Sequence, residues 1–261
     1  MIRVGVVGAA GKMGRQVLEA VDGADDLVLS CAIDPRVNEL ELDERVVRSS
    51  SLEELPHDAA DVLVDFTNPA AARQHVAQAL RQGFHLVVGT TGIGERELKE
   101  LAAASKESGS NAVVAANFAI GAVLLLRFAA QAAPYFEGVE IIELHHDQKV
   151  DAPSGTSIVT AQAIAAARAD AGSPALVDPT TTVVLEGARG AKADGGVPIH
   201  SVRLPGLVAH EEVIFGGPGQ GLTIRHDSYD RVSFMSGVLL AIREVQGRPG
   251  ITVGLESLLD H

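Results

Sequence analysis

The sequence predicts an α/β protein, a doubly wound parallel sheet followed by a smaller α+β domain. Three observations carry that prediction. Up to residue 115, short β-rich runs alternate with helical stretches at the spacing of strand–helix–strand units. Those runs are continuously apolar, as strands are when both faces of a parallel sheet are covered. Beyond residue 115 the rhythm changes, and three closely spaced strands follow a long Gly/Pro/Asp-containing connection.

Taken in order, the first half predicts strands at Ile2–Val7, Val28–Ile33, Val62–Phe66, His85–Val88 and Ala112–Ala115. Helices are expected between them at Lys12–Val21, Pro69–Gln82 and Glu95–Glu107. The second half predicts a helix near Ala122–Ala132, a strand at Val139–Leu144 and an Ala-rich helix near Thr156–Ala169. After the connection Gly172–Pro198 come strands Ile199–Leu204, Val208–Phe215 and Leu222–His226. The last two flank the glycine-rich stretch 216–221, a hairpin signal. A final helix is expected over Ser233–Val245.

Composition narrows the function classes. The net charge of −13 is the wrong sign for a general nucleic-acid or anionic-membrane binder, so neither partner is expected. Cys31 is the only cysteine, which rules out an intrachain disulfide, and its strand context predicts a buried, inert thiol. The N-terminus runs directly into strand residues with no leader-like pattern, and the longest apolar stretch is broken by Arg127. A cytoplasmic enzyme or sensor is the expectation.

Gly8, Ala9, Ala10, Gly11, Lys12, Met13 and Gly14 lie between the first strand and the first helix. There, backbone N–H groups and a helix N-terminus can face a dinucleotide pyrophosphate, the Rossmann arrangement. The spacing departs from G-x-G-x-x-G, because position 9 is Ala. Asp34 ends the second strand 20 residues after Gly14, where a ribose-binding carboxylate is expected; alone it could be a turn residue. Asp34 favours NADH, whereas Arg36 and Lys12 could pair with the 2′-phosphate of NADPH, so use of either cofactor is expected. Gly89-Thr90-Thr91-Gly92 ends another parallel strand, and Ala115, Ala116, Asn117 and Phe118 follow the next.

The segment from Glu143 to Thr156 is the richest in chemistry. It holds His145, His146, Lys149 and the run Ser154-Gly155-Thr156 at a strand end leading into a helix. Backbone amides and hydroxyls at a helix start suit a carboxylate. A zinc site on His145, His146 and Asp147 is the competing reading. Adjacent strand residues point to opposite faces, so no metal is expected. Arg189, Arg203 and Arg225 are expected in surface or interdomain pairs, and His75, on a helix, is expected to be silent.

The run His145-His146-x-x-Lys149-x-Asp151-Ala152-Pro153-Ser154-Gly155-Thr156 resembles the signature of the dihydrodipicolinate reductase family. Gly89-Thr90-Thr91-Gly92, Asn117-Phe118-Ala119-Ile120-Gly121 and His226-Asp227-Ser228 resemble it too, in the family's order and across essentially the whole chain. The resemblance implies His145 as the acid/base residue and Lys149 as proton donor. It implies a dicarboxylate held by His146, Lys149, Ser154, Gly155 and Thr156. The cofactor would be NADH or NADPH, held by residues 8–13, Asp34, Gly89 to Thr91 and Ala115 to Phe118. It implies a nucleotide-binding domain at 1–117 completed by 229–261, and a domain at 118–228 with a mixed four-stranded sheet that assembles a homotetramer. The implied reaction reduces (2S,4S)-4-hydroxy-2,3,4,5-tetrahydrodipicolinate to tetrahydrodipicolinate in lysine and diaminopimelate biosynthesis. The rivals are a homoserine- or aspartate-type dehydrogenase and a non-catalytic NAD(H) sensor.

Overall fold

A computed structural model describes residues 1–90 and 92–260. The chain forms two compact units, Met1–Ile120 with the segment from Arg231 onward, and Gly121–Asp230.

The first unit runs β1 (Ile2–Val7), α1 (Lys12–Asp22), β2 (Leu27–Ile33), β3 (Val47–Ser49), β4 (Val62–Asp65), α2 (Pro69–Arg81), β5 (His85–Val88), α3 (Glu95–Ser108) and β6 (Ala112–Val114). α4 (Ile120–Ala132) begins at its boundary. The second unit continues with β7 (Gly138–His145), α5 (Gly155–Asp170), β8 (Ala191–Lys192), β9 (Pro198–Arg203), β10 (Ala209–Gly217) and β11 (Gln220–Ser228). α6 (Met235–Glu244) and β12 (Ile251–Val253) return to the first unit.

Seven strands make the first sheet, in the order β12-β6-β5-β4-β1-β2-β3, and every pairing is parallel. This is the expected doubly wound α/β sheet, with two more strands than the sequence pattern predicts. β3 and β12 have three residues each, too few to show an apolar run. The strand order reverses between β1 and β4, so the crevice beyond their carboxyl ends is where such sheets take ligands. Val7, Cys31, Leu63, Leu80, Phe84, Val88 and Leu101 pack into one core under α2 and α3. Burial there pushes the Cys31 thiol up to about 12, which keeps it unreactive. Local signals set the helix ends. Asn68 caps α2 by accepting from the Ala70 and Ala71 amides, and Pro69 opens that helix. The C-terminal segment is tied in by Asn111, whose amide donates to the Val245 and Gln246 carbonyls (3.1 and 3.0 Å) and accepts from Gly250 N (3.0 Å).

The second sheet has the order β11-β10-β7-β9-β8 and is mixed: β7 and β9 run parallel, and the other pairs are antiparallel. It has five strands rather than four, because the two-residue β8 forms within the connection that the sequence leaves irregular. Alternation along β7 buries Val139, Ile141 and Glu143 on one face. That face packs on Leu125 and Ala129 of α4 and Ala161 and Ile164 of α5, together with Ile199, Val213 and Phe215. Among the described residues, no helix is long and apolar enough to cross a membrane.

Candidate functional site

In the first unit, the candidate residues lie at the carboxyl ends of β1, β2 and β4. Gly8 takes a left-handed conformation (φ +79°), and its amide donates to Ile33 O at 2.8 Å. A Cβ on Gly14 would stand 2.1 Å from Gly8 O and 2.8 Å from Ala9 Cα, so only glycine lets α1 start this close to the turn. Gly11 occupies the N-cap position of α1 without a side-chain cap. The first-turn amides, including those of Lys12 and Met13, therefore remain open to an anion, and these residues fit a dinucleotide pyrophosphate. The G-x-x-G-x-x-G spacing thus does the work of the usual fingerprint: Gly8 makes the turn, Gly11 leaves the helix start bare, and Gly14 gives close packing.

Asp34 is buried, and it holds this loop as well as facing it. Its Oδ2 accepts from Ala10 N (3.1 Å) and its Oδ1 from Arg36 N (2.8 Å). An ionised carboxylate has about four acceptor positions, so two remain for a ribose diol. The Arg36 guanidinium is more than half exposed, stands 3.8 Å from Asp34 and donates to Ala10 O at 3.5 Å; its exposed nitrogens fit a 2′-phosphate.

Asp65, at the end of β4, gathers the adjoining loops. Its Oδ1 accepts from Thr67 N (3.0 Å), Thr67 Oγ1 (2.8 Å) and Thr90 Oγ1 (2.6 Å), and its Oδ2 meets His75 Nε2 at 2.5 Å. Burial pushes this carboxyl up, but the bonds from His75 and Thr90 outweigh it and hold the group below its usual range. His75, expected to be silent on its helix, is thus one of the groups that hold this carboxylate. Gly89 N donates to Asp65 O (2.9 Å), which fixes the start of the Gly89–Thr90 turn; Thr91, the next predicted contact, lies outside the described residues. Ala115 N donates to Val88 O (3.0 Å), Ala116 is exposed, and Asn117 Oδ1 accepts from Ala119 N (2.9 Å). Phe118 is buried edge-on against Phe66, so its ring is core, and only its backbone is left to serve a ligand.

In the second unit, the candidate residues lie at the end of β7 and the start of α5. His145 is half-buried, with Nδ1 2.5 Å from Glu143 Oε2. Glu143 is fully buried, yet it carries charge. Arg203 grips it with both terminal nitrogens (2.8 Å each), and Ser154 N donates to it at 3.3 Å. Burial alone would raise this carboxyl; the hydrogen bonds from Arg203, Ser201 and His145 hold it below the usual range instead. Burial lowers His145 below the ordinary histidine range. The Glu143 carboxylate opposes that, and the charges of Lys149 and Arg203 reinforce it.

Lys149 lays its ammonium on both Asp151 oxygens (2.8 Å each), and His146 is exposed. Ser154 is the N-cap of α5: its Oγ accepts from Ser157 N (3.2 Å) and bonds Ser157 Oγ (2.9 Å). That hydroxyl is committed to the helix. The Gly155 and Thr156 amides, without intrahelical acceptors, are the part of this turn left open to an anion. His145, Lys149 and the 154–156 turn thus come together in one unit.

Sequence reasoning missed two participants. Glu143 precedes His145 by two residues, so alternation along a strand puts both on one face; that signal was available. Arg203 was expected in a surface or interdomain pair, but it stands opposite His145 in the β7–β9 register and grips a buried carboxylate within the unit. Only strand order reveals that. Arg225 pairs with Asp227 and Glu212 along the hairpin, and Arg189 pairs with Glu140 and Asp178. Among the described residues, no three or more His, Cys, Asp or Glu side chains cluster as a metal site would need.

Comparison with known proteins covers both units. Residues 2–118 match the family model for the N-terminus of dihydrodipicolinate reductase, and residues 121–259 match that for its C-terminus. The chain is 49% identical over 259 residues to the 4-hydroxy-tetrahydrodipicolinate reductase of Corynebacterium aurimucosum, covering 99% of this chain and 98% of that one. It is 51% identical over 258 residues to that of Streptococcus thermophilus, covering 99% of each. Among solved structures it is similar to a dipicolinate-bound dihydrodipicolinate reductase from Paenisporosarcina sp. TG-14, at 42% identity and TM-score 0.88, covering 99% of this chain and 100% of that one.

Proposed function

The chain belongs to the dihydrodipicolinate reductase family, and from that premise we propose that it is a 4-hydroxy-tetrahydrodipicolinate reductase of lysine and diaminopimelate biosynthesis. Its substrate is (2S,4S)-4-hydroxy-2,3,4,5-tetrahydrodipicolinate, which loses water and is reduced to tetrahydrodipicolinate. One observation carries the reading: His145, Lys149 and the open turn at the start of α5 are assembled in one unit, braced by a buried carboxylate. A sensor of NAD(H) would need the glycine loop and Asp34 but none of that cluster.

NADH or NADPH, when bound, supplies the hydride. The residues of the glycine loop, with Asp34, Gly89, Thr90 and the backbone of residues 115–118, hold and orient it. The Gly155 and Thr156 amides and the His146 side chain bind the substrate carboxylates, and Ser154 fixes the turn that presents those amides. A substrate carboxylate competes with Asp151 for the Lys149 ammonium, bringing the proton donor to the ring. His145, presenting Nε2, handles the proton that accompanies reduction of the conjugated C=C–C=N system. Fixed placement of these groups is itself a large part of catalysis.

The chain works in the cytoplasm as a homotetramer. Ile142 and Leu144 on β7 and the exposed Ile214 on β10 lie on the sheet face turned away from the helices, which supports assembly through that face. The deciding experiment adds freshly made product of the preceding synthase to the enzyme with NADH or NADPH. Loss of reduced-nicotinamide absorbance is expected with both cofactors; loss with neither would leave the sensor reading in its place.

A further inference from the structure

The acid/base role assigned above to His145 needs a defined nitrogen to face the substrate, and nothing in that reading says what defines it. Glu143 is fully buried and two residues away on the same strand face. Five donors converge on this carboxylate, the Ser201 hydroxyl among them. Oε1 takes Arg203 Nη2 and Ser154 N; Oε2 takes Arg203 Nη1 and His145 Nδ1. Arg203 also donates to Asp151 O at 2.7 Å. The same pair thus reaches the strand end, the loop bearing Lys149 and the first residue of the anion-binding turn.

We infer that Glu143 is the positioning residue of this site, fixing His145 in the tautomer that carries its proton on Nδ1 and locking the acid/base nitrogen to the substrate turn as one rigid piece. The inference rests on the reductase reading for its consequence in turnover, though not for its geometry. An ionised carboxylate is an acceptor only, so the facing Nδ1 must carry hydrogen. Nε2 is then the nitrogen that gains and loses a proton. The charged groups facing the pair are Arg203 from β9, Lys149 from the loop, and Glu211 from β10, which lies beside Glu143 in the ladder. Glu211 is buried without a cation and accepts from Ser157 Oγ at 2.5 Å, and burial pushes its carboxyl up, whereas Glu143 has the guanidinium. The guanidinium offsets the Glu143 charge permanently, so His145 can stay neutral without stranding a buried anion.

Replacing the carboxylate by its amide gives a sharp test, because Gln has one acceptor where Glu has two. With its oxygen in the Oε1 position, Glu143→Gln satisfies Arg203 Nη2 and Ser154 N, and its NH2 meets one fixed donor, Arg203 Nη1, and the ring nitrogen His145 Nδ1. With the oxygen in the Oε2 position, the NH2 faces two donors. The first arrangement is favoured, and it requires Nδ1 to accept, so the proton moves to Nε2. Histidine-nitrogen NMR, with the His145 signal assigned by its loss in His145→Gln, should show the Nδ1–H form in the native protein and the Nε2–H form in Glu143→Gln. The His145 ionisation should move to lower pH, and kcat should fall about 10²–10⁴-fold with KM changed far less. Should Glu143→Gln fail to fold, Glu143→Gln/Arg203→Gln removes both charges, and loss of the single Nδ1–H form is the expected reading there. An unchanged tautomer with unchanged turnover overturns the inference. A native protein that binds NADH but reduces no substrate would instead overturn the reductase reading, and the tautomer measurement would still decide the role of Glu143.

Discussion

Each unit buries one carboxylate beside a histidine, and the two are neutralised differently. Asp65 in the first unit is met by two hydroxyls, an amide and His75, with no fixed cation among those partners. Glu143 in the second unit is met by His145, a backbone amide, the Ser201 hydroxyl and the fork of Arg203. A carboxylate held by hydroxyls and an imidazole organises loops, and an amide in its place is expected to keep most of those contacts. One locked to guanidinium frees its histidine from balancing charge, and that histidine is then available for proton transfer.

The largest effect should come from the histidine that the comparison assigns to chemistry. His145→Gln is expected to lower kcat by about 10²–10⁴-fold while the NADH dissociation constant stays near its native value. Steady-state kinetics and calorimetry measure the two, and native turnover would erase the distinction between the units.

Asp65→Asn is the matched experiment to Glu143→Gln. Its oxygen can keep the three Oδ1 donors while its NH2 donates to His75 Nε2, so about 1 kcal/mol of stability is expected to go, against roughly 3 kcal/mol or more at Glu143. The acid limb gives a second reading. The Asp65 pKa is depressed in the folded protein. Its stabilisation is thus present above the unfolded carboxylate value and lost as pH falls through the lower, folded one. The Tm of Asp65→Asn should therefore fall less than the native Tm on acidification below about pH 4. Equal losses from the two amide substitutions would show that the guanidinium makes no difference.

Asp34 is the limiting case, a buried carboxylate whose neighbouring cation is exposed and only loosely placed, at 3.8 Å. Arg36→Ala should leave Tm unchanged, as surface pairs contribute little. It should weaken NADPH about tenfold while sparing NADH, since only NADPH offers a charged acceptor. Equal weakening of both cofactors would place Arg36 in the loop's architecture rather than in cofactor choice.

Much of this was legible in the sequence, for identifiable reasons. The long parallel strands show as apolar runs, the glycine turn as its own residues, and the cluster from His145 to Thr156 is contiguous in the chain. What stayed hidden depends on register or on brevity. Arg203 reaches Glu143 only because β9 lies parallel beside β7, 60 residues away. His75 reaches Asp65 from the second turn of α2, a placement that a lone helical histidine does not advertise. β3, β8 and β12, at three, two and three residues, are too short for periodicity to register.

The return of the chain at Arg231 has a consequence for biosynthesis. A ribosome that has released residues 1–230 has delivered every residue of the second unit but not β12, which flanks β6, nor the carbonyls that Asn111 holds. During that interval the contiguous unit can close its core, while the unit begun first waits with β6 as an unpaired edge. The order of emergence and the order of completion are therefore reversed, and the nucleotide-binding half matures last. A chain truncated before residue 245 and released from the ribosome should carry a protease-resistant second unit and a first unit still open to cleavage.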